Sequence, residues 1–260
     1  MGKLQSGIML GVGAAILLAS IIYNASILAF IGLSLVFWGA LLLYIQPEDY
    51  TRKVLLDAAV TSSLKQLNQI LQEADYSGKA IYLPPKYFKN PETSKIYIPK
   101  QEDGKPPTPE HILQQANAIF TDSPQGLLLT PAGAELARLF EKTLGTSFTR
   151  TDLKYLQRKL PKLLIEDLEI ADDLEIEVRN GDDGEARNDT IHVRITNSLY
   201  KDLYTEAETR SHIGVIGCPI CSALACALTK ATGKPVTIEA INPTEDGEII
   251  TATYRVLEIT

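Results

Sequence analysis

The sequence predicts an α+β protein: an N-terminal transmembrane helical hairpin, then a cytosolic domain of helices packed on antiparallel β-hairpins. Three observations carry that expectation. Residues 7–23 and 27–45 are uncharged apolar runs separated only by Asn24-Ala25-Ser26. All 32 acidic residues lie at or beyond Glu48, and Lys3 is the one basic residue of 25 that lies before it. Beyond that point, helical periodicity and period-two alternation take turns in blocks separated by glycine, proline and aspartate.

Each apolar run is near the length that spans a hydrocarbon core. A three-residue connection makes them an antiparallel helical hairpin. Lys3 precedes it, Arg52 and Lys53 follow it, and the turn is uncharged. The positive-inside rule then places the N-terminus and the C-terminal domain in the cytoplasm of a two-span cell-membrane protein, with the lipid bilayer as a partner. A cleavable signal peptide competes, but a second apolar run follows the first and no small-residue cleavage site precedes a polar start. Trp38, Tyr44 and Tyr23 suit interfacial positions, and Gly7, Gly11, Gly32 and Gly39 supply small surfaces for packing within the hairpin.

The expected organisation is 1–46 for the hairpin, 47–107 for an amphipathic helix and a β-hairpin, and 108–260 for the α+β domain. From Thr51 to about Ala74, Leu55, Leu56, Ala59, Val60, Leu64, Leu67, Ile70 and Leu71 recur at helical spacing. Such a helix packs on its own domain or on a second copy of the chain. The alternating stretches 79–88 and 94–100 form a hairpin around Lys89-Asn90-Pro91, and its prolines suggest a sheet edge. A helix opens at Pro109 and runs to Phe120; a short strand, LLLT, leads into another, with Thr130 as cap and Gly145 past its end. Thr149-Arg150-Thr151-Asp152 resembles a capping box with Asp in place of Glu that starts a third helix, running to about Leu160 and broken or restarted at Pro161. The alternating stretches 174–180 and 190–196 form a second hairpin, followed by a helix at 198–208. A helix from Pro219 to Thr232, closed by Gly233, precedes a last hairpin turning at Asp246-Gly247.

With a net charge of −7 and no Lys/Arg stripe, the chain is unsuited to a phosphate backbone, and nucleic acid is excluded as a partner. The three cysteines all fall within 218–226, which makes no disulfide framework and suits a reducing compartment. Cys218 and Cys221 form a Cys-x-x-Cys pair at the start of a helix, where free backbone amides and the dipole favour a thiolate. Against a redox role, the helix precedes a hairpin instead of continuing a βαβ unit, and the apolar run 223–228 marks it as core. Cys218, Cys221 and Cys226 are therefore candidate thiol or pocket residues, with packing as the competing role. His212 and Cys226 complete a zinc set only on paper, because Cys226 lies on another helix face from Cys221. No metal, no cofactor and no catalytic residue is assigned. His111 and His192 are isolated, and Asp182, Asp183, Glu185 and Asp189 fit a solvated hairpin tip better than a calcium loop. No phosphate loop, nucleophile elbow or His-Glu-x-x-His occurs.

The segments KAIYLPPKYFKNPETSKIYIPK, GLLLTPAGAELARLFEK, KYLQRKLPKLLIEDLEIADDLEIEV and GCPICSALACALTKATGKPVTIE, with the final YRVLE, resemble a family of archaeal two-transmembrane-helix membrane proteins to which no reaction is assigned. The last third is similar in layout to vinyl-reductase-type ligand-binding domains, the group that includes a vesicle-tethering subunit of Golgi transport. That resemblance implies a cysteine-bearing helix lining an apolar cavity. Many of those proteins carry further cysteines in the final hairpin; INPTEDGEIITATY has none.

The function expected from these features is a membrane-anchored cytosolic ligand-binding or protein-interaction module without catalytic activity. Its partner classes are a small apolar ligand, a second copy of the chain, or a membrane-complex partner. The alternative is a membrane-tethered thiol redox protein or sensor using Cys218 and Cys221.

Overall fold

The computed structural model describes residues 2–44, 48–90, 93–101, 106–115, 118–179, 189–205 and 216–258, with side chains described at 7–41 and from 60 onward. Two compact units result, Met1–Leu56 and Asp57–Thr260. The acidic tip Asp182, Asp183 and Glu185, His212, and the end of the helix expected at 198–208 lie outside the described residues.

In the first unit, α1 (Gly2–Tyr23) and α2 (Ser26–Tyr44) form a helical hairpin that turns at Asn24 in a left-handed conformation, φ 49°. Backbones meet at Gly13 and Gly32: a Cβ on Gly13 would lie 2.8 Å from the Val36 nitrogen, and one on Gly32 would lie 2.9 Å from the Leu17 nitrogen. Gly7 and Gly11 face open space, so of the glycines expected to pack within the hairpin, Gly32 does and these two do not. Among the described residues, no helix is long and apolar enough to cross a membrane. This corrects the expectation of a transmembrane hairpin, and with it the two-span topology and the cell-membrane localisation.

The second unit is built on an eight-stranded antiparallel sheet in the order β3-β4-β2-β1-β7-β8-β6-β5. The strands are β1 (Ile81–Leu83), β2 (Lys95–Pro99), β3 (Phe120–Asp122), β4 (Gln125–Leu129), β5 (Asp173–Arg179), β6 (Thr190–Thr196), β7 (Val236–Pro243) and β8 (Ile249–Val256). The hairpin expected at an edge, β1 and β2, sits inside the sheet. Its prolines permit this because Pro84 follows β1 and Pro99 ends β2, where little of the hydrogen-bond ladder is lost. The edge belongs instead to β3, cut from residues expected to finish the helix at Pro109.

Alternation sends Ile96, Ile98, Leu127, Ile191, Val193, Ile195, Ile250, Ala252 and Tyr254 to one face, where the main core lies. The helices on that face are α3 (Glu48–Glu73) through Leu64 and Leu71, α5 (Ala134–Leu144) through Ala137 and Phe140, α6 (Leu153–Lys162) through Leu156 and Leu160, and α7 (Pro219–Thr232). Asp152 caps α6 by accepting from the Tyr155 amide at 2.8 Å, and Pro161 leads into a π-helical turn, Leu163–Asp167. On the opposite face, Ile81, Leu83, Tyr97 and Leu128 make a smaller core with Tyr87, Phe88 and Ile112; Ile112 comes from the short helix α4 (Pro109–Gln115).

Candidate functional site

The cysteines come first because the sequence pointed to them. Gly217 (φ 76°) turns the chain into α7, and Cys218, in an extended conformation (φ −71°, ψ 167°), is the cap: its Sγ accepts from the Cys221 amide at 3.4 Å. Pro219 follows at a position where its missing N–H costs nothing, and Gly233 (φ 64°) closes the helix. Cys218 and Cys221 are therefore brought together, whereas Cys226 lies more than a turn further on. All three are free thiols inside the core, at 0%, 0% and 3% exposure.

Three tyrosines that the sequence reading did not single out converge on the same helix turn. Tyr82 donates to the Ile216 carbonyl at 2.7 Å, Tyr254 donates to the Cys221 carbonyl at 3.0 Å, and the Tyr204 hydroxyl lies 3.6 Å from Cys221 Sγ. Burial pushes the Cys218 thiol up, but hydrogen bonds with Cys221 and Tyr204 and with the Cys221 and Ile220 amides outweigh it, so its pKa falls below the ordinary value. Its hydrogen bond with Cys218, and burial, raise Cys221 well above that value; burial pushes Cys226 up to about 12. One thiol is thus primed chemically but closed off from solvent.

The expected outcome of native-state alkylation is therefore protection. All three cysteines should react roughly a thousandfold more slowly than a free cysteine, because exposure requires opening of the core. Rapid labelling of Cys218, with an oxidant-reversible link to Cys221, would move them from packing to redox chemistry.

The remaining sequence candidates stay apart. His111 is exposed on α4, and His192 lies mid-strand with Nδ1 3.3 Å from the Thr253 hydroxyl. Among the described residues, no group of three or more His, Cys, Asp or Glu could hold a metal ion. On α7, Pro219 to Lys230 are all buried, and to the three surface hollows described below the helix contributes only Lys230.

An open hollow lies near the β3 edge. It is an open groove of about 760 Å³, with Phe88 and Leu128 at its base and Leu113 and Ile119 on its rim. Leu113 is 40% exposed and Ile119 57%, and Phe120 beside it is 60% exposed. Lys89, Asn90, Thr93 and Lys95 line one side; Gln114, Gln115 and Ala118 line the other. Residues 88–90, 93, 95, 113–115, 118–119 and Leu128, from three parts of the chain, build it together.

The fold and these sites define an α+β domain with a cysteine-bearing helix as core and an open apolar groove at one sheet edge. The chain belongs to the family described as Domain of unknown function (DUF7982), whose model matches residues 4–255. No curated protein and no solved structure matches it. This replaces the resemblance to two-span archaeal membrane proteins, since among the described residues no helix is long and apolar enough to cross a membrane, and leaves the likeness to vinyl-reductase-type domains without a matching structure.

Proposed function

We propose that the second unit is a non-catalytic protein-interaction module that docks an extended polypeptide segment in the groove between α4 and β4. The observation that carries this is the groove itself. Its volume is that of a binding site, its rim holds large apolar side chains in water, and it adjoins the edge strand β3. Exposing Leu113 and Ile119 on the rim of one groove is costly unless something covers them.

A display selection of random peptides against the whole chain tests the reading. It should return sequences with a large apolar anchor, whose affinity falls about tenfold in the Leu113→Glu variant, since a charge then faces the buried anchor. Leu113 stands on the outer side of α4, so the variant should melt like the parent. A selection that enriches nothing over the Leu113→Glu chain would sink the proposal.

A further inference from the structure

We infer that the groove runs on into a cationic track, so that its partner segment carries acidic residues after the apolar anchor; the inference rests on the interaction reading above. Three hollows share their walls. The groove and a neighbour of about 190 Å³ have Thr93 and Lys95 in common. That neighbour and a third hollow, of about 400 Å³, have Arg138 and Lys230 in common. The furrow thus passes from Lys89 and Lys95, past Arg138 and Lys230, to Lys142.

Two carboxylates enter it, and both are engaged. Glu135 lies 3.3 Å from Arg138, and Glu141 holds Lys230 at 2.7 Å. Among the described residues, Lys89, Lys95 and Lys142 have no ion-pair partner; Lys95 donates only to the Thr130 hydroxyl, at 3.4 Å. A chain with net charge −7 therefore gathers unpaired positive charge along one furrow, beginning on the lysine-bearing wall of the apolar groove. The occupant is an extended polypeptide and not a single phosphate, because the lysines do not converge. Lys95 and Lys142 line different hollows, with Arg138 and Lys230 between them, whereas a phosphate site aims its donors at one point. Carboxylates spaced along an extended chain match that spread, and the field speeds encounter as well as selecting the partner.

Fluorescence anisotropy of the full chain with two short labelled peptides decides the matter. Both carry the same Leu-Phe anchor; one continues in glutamates, the other in glutamines. The glutamate peptide should bind about tenfold more tightly at low salt, and the advantage should shrink as ionic strength rises. Joint Lys95→Gln and Lys142→Gln substitution should abolish that advantage and leave the glutamine peptide unchanged. Equal affinity of the two peptides would overturn the track while leaving the groove reading intact. Failure of both peptides to bind, with display-selected peptides also silent, would overturn both readings. Displacement of the glutamate peptide by stoichiometric pyrophosphate would overturn the track in favour of a small-anion site.

Discussion

Glu141→Ala should lower the stability of the second unit by about 3–5 kcal/mol, read as the shift of a urea or thermal transition. Glu141 makes three bonds: Oε2 accepts from Lys230 Nζ at 2.7 Å, while Oε1 accepts from the Phe148 amide at 2.8 Å and from the Ser147 hydroxyl at 3.0 Å. The Lys230 side chain is only 7% exposed, so truncating its partner leaves a largely buried ammonium group without its counter-ion. Replacing both, as Glu141→Leu with Lys230→Met, removes the buried charge and should recover most of the loss. Recovery should stop short by about 1–3 kcal/mol, because the Phe148 amide still lacks an acceptor. If the two single losses simply add in the double variant, the pair is not coupled and the argument fails.

That pair also marks the limit of what the sequence could reveal. Glu141 and Lys230 lie 89 residues apart, and nothing in either helix announces the other. Periodicity, by contrast, is local. It placed α3, the helix from Pro219 to Gly233, and the hairpins β5–β6 and β7–β8 close to where they stand. The all-apolar run 223–228 was enough to read α7 as core.

Errors arose where several local rules competed. The helix opening at Pro109 was carried through to Phe120, the first residue of β3, whereas α4 ends at Gln115. Prolines in β1–β2 were weighed as edge signals, although they stand where the ladder ends. Hydropathy alone made α1 and α2 transmembrane spans. The groove could not be read at all, because its walls come from three separate segments and its meaning lies in their being brought together.

Gly133→Ala should be among the most damaging single-methyl changes in the chain, costing about 3 kcal/mol or more, the upper end for overpacking. The backbone of Gly133 is not the reason: φ −95° and ψ 8° suit other residues. The reason is space. An added Cβ would stand 2.1 Å from the Ala223 nitrogen and 2.4 Å from the Pro219 carbonyl oxygen, both backbone atoms of the first turns of α7. Backbone cannot swing aside as a flexible side chain can, so α5 and α7 must separate. Separation also strains the Gly133 amide bond to the Ser222 hydroxyl, 3.0 Å long, and loosens the Lys230–Glu141 pair that joins the same two helices farther along. Gly145→Ala is the control. Gly145 has φ 64° and nothing within 4 Å of an added Cβ, so its cost is backbone strain alone, about 1 kcal/mol. Two further readouts separate local strain from opening of the α5–α7 seam. Gly133→Ala should speed alkylation of Cys218 and Cys221, which lie in the turn it pushes away, whereas Gly145→Ala should not. Equal melting points and equal labelling rates for the two variants would show that the close approach of α5 and α7 is not what holds this core shut.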